Sequence, residues 1–226
     1  MKIREIMPRQ TKDLRLTMSY EEFLEWSDED THAEWVKGEA IVFMPPKSEH
    51  QLVVKFLLHL MEQFVKLFGL GEVLMAPFEV KLEIVSSSRE PDILFIAKEN
   101  LHRLSSERLT GPPDLIVEIV SRSSVRRDRK DKFEEYAVAG VPEYWIIDSR
   151  PGKQRADFYE LDENGRYQLY ATEDDEIVSS KVLSGFWLRP SWLWQADTLN
   201  PLTCLMENDD VRAAILAQIQ EIEARS

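Results

Sequence analysis

Cysteine is nearly absent from this sequence of 226 residues, Cys204 being the only one. One thiol supports neither an intrachain disulfide framework nor a cysteine-based zinc site, and it suits a reducing compartment. Long apolar runs are missing as well: nothing approaches the ~20 consecutive apolar residues that span a bilayer. The opening Met1-Lys-Ile-Arg-Glu-Ile-Met-Pro lacks the apolar core of a signal peptide, so a cytoplasmic location is expected. Positive charge is scarce, with 28 lysines and arginines against 41 aspartates and glutamates and a formal net charge of -13. Such a field repels a polyanion, so any binding of nucleic acid has to be local. The eight glycines form no phosphate-cradling loop, and no internal repeat or low-complexity tract is present.

The stretch from Asp114 to Asp148 organises the chain. Asp114-Leu-Ile-Val-Glu118-Ile-Val120 has the composition of a strand buried on both faces, interrupted by one carboxylate. An ionised group there costs several kcal/mol on the order of a buried charge unless a cation or a proton offsets it, so Glu118 has to be explained. Ser121 to Lys132 follows, with six cations and two acids. Phe133-Glu-Glu-Tyr136-Ala-Val138-Ala-Gly140 then reads as an amphipathic helix closed by glycine, and Val141-Pro-Glu-Tyr-Trp145-Ile-Ile-Asp148 as a strand. Strand, helix and strand with short joints predict a right-handed crossover between parallel strands.

Around this unit the pattern predicts one α/β domain of ordinary size with extensions: an irregular arm at 1–16, the domain at 17–195 and a helical tail at 196–226. Thr17 to Trp26 predicts a short helix with Phe23 and Trp26 facing the core, and Glu34 to Met44 a hairpin about Lys37-Gly38. Ser48 is placed to cap the longest helix, Glu49 to about Phe68, with Leu52, Val53, Phe56, Leu57, Leu60, Phe64 and Leu67 inward and Gly69 and Gly71 as its stop. Strand composition resumes from Glu72 to Ile84 with a bend at Pro77. It returns at Glu90-Pro91-Asp92-Ile-Leu-Phe-Ile-Ala97, where proline at the strand mouth costs no ladder bond. Asn164-Gly165 marks a second hairpin, and Val211, Ile215, Ile219 and Ile222 line one side of a terminal helix that docks or pairs.

Two carboxylates carry the chemical signal, Asp92 at a strand entrance and Glu118 inside a strand that can lie beside it. Carboxylates without histidine or cysteine close in sequence suit a hard cation, Mg²⁺ ahead of Mn²⁺. Lys132 lies early on the following helix, whose side chains lean back toward the end of the Glu118 strand, and its ammonium can meet both carboxylates. A plain ion pair between Glu118 and Lys132 or an arginine is the competing account of Glu118, and a turn cap that of Asp92.

Glu90-Pro91-Asp92, Glu118-Ile-Val120 and Lys132 together resemble the PD-(D/E)XK nuclease superfamily, and more closely its Uma2 branch. Ser48-Glu49-His50-Gln51, the string Pro113 to Ser121 with Ser123-Ser124, the spacing Asp128, Lys132, Tyr136, and Gly140-Val-Pro-Glu-Tyr-Trp-Ile-Ile-Asp148 carry that resemblance over about residues 17 to 195. It implies a restriction endonuclease-like fold, a mixed sheet flanked by helices, and Mg²⁺-dependent hydrolysis of DNA phosphodiester bonds, with Mn²⁺ as a substitute. Asp92 and Glu118 are then metal ligands and catalytic residues, with Glu49 as an outer ligand. The superfamily's lysine two residues after the strand glutamate is replaced here by Val120, and the Uma2 pattern carries that role on Lys132, which orients water and stabilises phosphate charge. Arg122, Arg126, Arg127, Arg129 and Lys130 are read as phosphate contacts, against a solvated charged loop. A homodimer is expected, because one centre cuts one strand. The rival reading is an inactive nucleic-acid-binding or protein-interaction module of the same fold.

Overall fold

A computed structural model describes residues 14–28, 31–43, 48–122 and 124–225. Strand β1 (Leu14–Thr17) leads into helix α1 (Tyr20–Trp26), whose N-cap Ser19 accepts from the Glu22 backbone N–H while the Glu22 carboxylate accepts from Ser19 N–H, a reciprocal capping box. Phe23 is buried, but Trp26 ends the helix at the rim and is exposed, unlike the expectation for it. β2 (Ala33–Val36) and β3 (Glu39–Val42) form the hairpin; Lys37 and Gly38 take φ of 49° and 90°, the left-handed pair that matches strand twist in a two-residue turn. Helix α2 (Ser48–Phe68) buries Val53, Val54, Phe56, Leu57, Leu60, Met61, Phe64 and Val65. Leu52 falls one position off that stripe and is exposed.

Five strands follow with short joints: β4 (Gly71–Met75), β5 (Glu79–Leu82), β6 (Ser87–Arg89), β7 (Ile93–Ala97) and β8 (Arg108–Thr110). Then come β9 (Leu115–Ile119), a single π turn at Arg127–Asp131, α3 (Lys132–Ala139) and β10 (Glu143–Asp148). β9 and β10 pair in parallel, the predicted crossover. β11 (Arg155–Leu161) and β12 (Tyr167–Thr172) make the second hairpin, followed by β13 (Val178–Ser179), β14 (Trp187–Leu188), α4 (Pro190–Leu193), α5 (Pro201–Leu205) and α6 (Asp209–Arg225).

The strands form a central mixed sheet, β12-β11-β10-β9-β7-β4, and a second sheet, β1-β3-β2-β6-β5-β8. The expected mixed α/β sheet with flanking helices is the first of these. The second sheet includes Leu14 to Thr17, so the unpatterned arm ends in an exposed edge strand; residues 1–13 of that arm lie outside the described residues. On one face of the central sheet Leu115, Val117, Ile119, Trp145 and Ile147 pack under α2 and the segments after β12. On the other, Ile116, Val120, Tyr144 and Ile146 meet Tyr136 of α3 and Val80, Leu82 and Leu109 of the second sheet. Cys204, Leu205 and Val211 belong to the α2 core, so the chain beyond 195 packs onto the domain through these residues, while Leu202 and, in the far part of α6, Leu216, Ile219 and Ile222 are exposed. Among the described residues no helix is long and apolar enough to cross a membrane.

Candidate active site

Strand alternation decides where Glu118 points. Its neighbours Val117 and Ile119 lie under α2, so Glu118 shares the opposite face with Ile116 and Val120, toward α3 and the second sheet. There it is 4% exposed. Lys132, the first residue of α3 and 3% exposed, donates from Nζ to Glu118 Oε1 at 2.6 Å. Tyr136, one turn on, donates its hydroxyl to the same oxygen at 2.9 Å. The four-residue spacing thus brings an ammonium and a phenol to one carboxylate. The π turn before α3, in which Lys132 N–H bonds the Arg127 carbonyl, carries buried Asp128 to the same region.

Asp92 is fixed by the ladder. Ile93 pairs with Val117, so Asp92 stands at the next position, beside Glu118, and its Oδ2 accepts the backbone N–H of Ile119 at 2.7 Å. His50 Nε2, from the first turn of α2, lies 3.1 Å from that oxygen. Both carboxylates open on a cavity of about 880 Å³ that Glu49, Lys132, Arg122 and Arg127 also line. The remaining candidate phosphate contacts are elsewhere. Arg126 and Lys130 are exposed and do not line the cavity, and Arg129 donates to buried Asp157 at 2.5 Å. Arg127 sets its guanidinium 4.3 Å over the Phe43 ring.

Residues to which the sequence patterning assigns no role also stand at the site. Glu34, from β2 of the second sheet, has its Oε1 2.9 Å from Lys132 Nζ. Arg89, at the end of β6, donates to Glu34 and to Glu135. Glu90 lines the cavity, and the loop after β10 adds Arg150 and Lys153 to its wall. Glu34 and Lys132 are 98 positions apart in the chain, and only the packing of the second sheet on α3 joins them. By contrast Glu143, equally buried, serves structure: it accepts from Trp145 Nε1, Ser180 Oγ and the N–H groups of Lys181 and Val182, which ties the segment after β12 to the sheet.

Carboxyl groups are in slight surplus around the cavity, six (Glu34, Glu49, Glu90, Asp92, Glu118 and Asp128) against five cations (Arg122, Arg127, Lys132, Arg150 and Lys153). Burial pushes Glu90 up to about 8, and Glu34 adds to it. Burial likewise raises Glu118, with Asp128, Asp92 and Glu34 reinforcing and Lys132 opposing. Asp128 is raised by burial against the pull of Lys132, the Ser124 hydrogen bond and Arg127. Glu34 is the exception: burial works against its charge, yet Lys132, Arg89 and Arg127 outweigh it and hold the group down to about 2. Burial would strip the proton from Lys132, but Glu118, Glu34 and Asp128 keep it an ammonium.

Among the described residues no three histidine, cysteine, aspartate or glutamate side chains converge as a ready-made metal group. The donor set nevertheless fits a hard divalent cation. Asp92 and Glu118 each engage one oxygen with protein donors, on neighbouring strands facing one cavity, and the surplus of carboxyl groups calls for positive charge. Mg²⁺ is commonly held by one or two carboxylates while it keeps several waters.

The fold is shared with a crystal structure described as "a putative nuclease belonging to DUF820" from Anabaena variabilis ATCC 29413, with a TM-score of 0.64, 17% identity, and 80% of this chain and 98% of that chain covered. No curated protein matches the chain. The family model described as "Uma2: Putative restriction endonuclease" matches residues 20–191, which include β9, α3, β10 and every residue of the carboxylate and lysine cluster, and the chain therefore belongs to the Uma2 family.

Proposed function

We propose that this protein is a divalent-metal-dependent nuclease of the cytoplasm that hydrolyses DNA phosphodiester bonds, with Mg²⁺ as the preferred ion and Mn²⁺ as a substitute. The observation that carries the reading is the 2.6 Å contact between Lys132 and Glu118. Val120, where the superfamily has its lysine, is apolar and buried, whereas the helix lysine Lys132 reaches the strand glutamate on that same face of the sheet, from α3.

Asp92 and Glu118 would hold the cation, with Glu49 at the cavity wall as an outer ligand. When bound, the metal supplies Lewis-acid stabilisation of the phosphate and lowers the pKa of water. The protein's own groups do the rest. His50 and the Ile119 N–H hold Asp92, and Tyr136 holds Glu118. Lys132 remains an ammonium, so it donates to a phosphate oxygen and does not act as general base. Water adds to phosphorus and gives up a proton to bulk water, the bond to the 3′ oxygen breaks in line, and that oxygen takes up a proton from bulk water. Arg122, Arg127, Arg150 and Lys153 at the wall would steer the phosphate backbone, with Arg126 and Lys130 as peripheral contacts. Because each chain offers one such centre, we expect a homodimer for double-strand cleavage.

The rival is an inactive binding module, which the acidic balance of the chain favours. A cleavage assay on duplex, single-stranded and branched DNA, with Mg²⁺, Mn²⁺ or chelator, separates the two. Metal-dependent cutting of any of these supports the nuclease; its absence on all supports the module.

A further inference from the structure

Lys132 has two acceptors, and only one of them belongs to the carboxylate pair. The other, Glu34, is 2% exposed and comes from β2 of the second sheet. Its Oε1 takes the Lys132 ammonium at 2.9 Å and the backbone N–H of Glu90 at 3.3 Å, while its Oε2 takes Nη1 of Arg89 at 2.8 Å. Arg89, also 2% exposed, spends Nε and Nη2 on Glu135 Oε2 at 2.9 and 2.6 Å. Glu135 lies on α3, three residues beyond Lys132. The contacts therefore form a closed ring that leaves α3 at Glu135, passes through β6 and β2, and returns to α3 at Lys132.

We infer that Glu34 is a positioning residue for Lys132, with Arg89 as its anchor, and that the second sheet is thereby part of the catalytic unit; this rests on the nuclease reading above. A buried ion-pair network is a poor stabiliser compared with apolar packing of the same volume, so its presence here is accounted for by geometry rather than by fold stability. A lysine stem is flexible, and one acceptor leaves its head free to swing. Two acceptors on different sheets fix it. The hydrogen bond to Glu118 and the ion pair with Glu34 hold the ammonium from two sides, and its remaining donor capacity is turned to a phosphate oxygen at the cavity it lines. Without Glu34 the ammonium closes onto Glu118 and that remaining capacity loses its aim.

The test uses Glu34→Gln and Arg89→Lys in the full chain, with two readouts. The first is the side-chain ammonium signal of ¹⁵N-labelled lysine by NMR, in which the buried Lys132 resonance is identified by its loss in Lys132→Ala. The second is the split between kcat and KM for cleavage. Both variants should displace or broaden the Lys132 signal, and Glu34→Gln should lower kcat by roughly 10–100-fold, the usual effect of losing a group that orients a site residue, with KM for DNA nearly unchanged. A displaced signal in a protein that cuts no substrate even as wild type would sink the nuclease reading and leave the positioning of Lys132 standing. An unmoved signal in folded variants overturns the inference, as does a displaced signal with wild-type kcat. If Glu34→Gln does not fold, Arg89→Lys carries the test; if neither folds, the ring is scaffold alone and the inference fails.

Discussion

Replacing Glu90 with glutamine removes a carboxyl group that the fold keeps protonated. Its ordinary value is 4.5, and burial, reinforced by Glu34, moves it to about 8. Between those two pH values the folded chain retains a proton that the unfolded chain has released, so stability drains away as pH rises. The contribution is complete below the unfolded value and lost once pH passes the folded one. At 1.36 kcal/mol per pH unit the ceiling is roughly 5 kcal/mol, and local relaxation and solvent access leave on the order of 2–4 kcal/mol. Glutamine has no proton to lose, and it retains the shape and hydrogen-bonding capacity of the acid. Glu34, held near 2, titrates alike in both proteins and cancels from the comparison. Urea unfolding of wild type and Glu90→Gln in chelator, at about pH 5 and about pH 8.5, reads the difference. The variant should gain about 2–4 kcal/mol on wild type between the two conditions, on the order of 5–15 °C in Tm for a chain of this size. An equal gap at both pH values would mean that Glu90 is ionised in the folded protein and that the carboxyl crowding inferred for the cavity is wrong.

Asp92→Ala and Glu118→Ala should each abolish Mg²⁺ and Mn²⁺ binding measured by calorimetry in a folded protein; unchanged affinity in both places the metal elsewhere. Arg89→Met leaves buried Glu34 and Glu135 without their shared cation and should cost about 3–5 kcal/mol in denaturant unfolding near pH 7, and a loss below 1 kcal/mol would contradict the ring as drawn. Sedimentation at micromolar concentration should find dimers, and monomer alone counts against paired centres.

What could be read from the residues was what the chain builds locally. The β9, α3, β10 unit spans adjacent segments, so its apolar runs, its glycine stop and the placing of Lys132 near Glu118 follow from short-range periodicity. Asp92 beside Glu118 needed one further step, the antiparallel pairing of β7 with β9. The second sheet was not legible as a unit. Its strands are three or four residues long, too short for alternation to speak, and β5 and β8 pair across a gap that carries no pattern. With that sheet hidden, no pattern in the residues assigned Glu34 or Arg89 a role at the site. The hint was present in Ala33-Glu34-Trp35, where a carboxylate stands between two residues that are both buried. Trp26 and Leu52 differ from expectation in the other direction, since periodicity marks neither where along a helix its cover ends, as at Trp26, nor how wide the covered stripe is, as at Leu52. The ion pair of Arg129 was not legible in the basic loop, because its partner Asp157 lies on β11, beyond the crossover.

Cleavage kinetics of Lys132→Ala beside Lys130→Ala, each with metal affinity measured in parallel, test the central claim most directly. Lys132→Ala leaves Glu118 without its cation and Glu34 with Arg89 alone, and should cost roughly 3–5 kcal/mol of stability, so turnover is compared well below its melting temperature. Under those conditions the account predicts no cleavage with metal affinity retained, and Lys132→Arg should fail too, because a planar fork does not fit the place of a compact ammonium. Lys130→Ala should weaken DNA binding modestly and flatten its salt dependence by a slope change of about 1 at most, with turnover at saturating DNA preserved. Equal losses in the two alanine variants, expressed only through affinity, would make Lys132 one more cation of a binding loop and contradict the account.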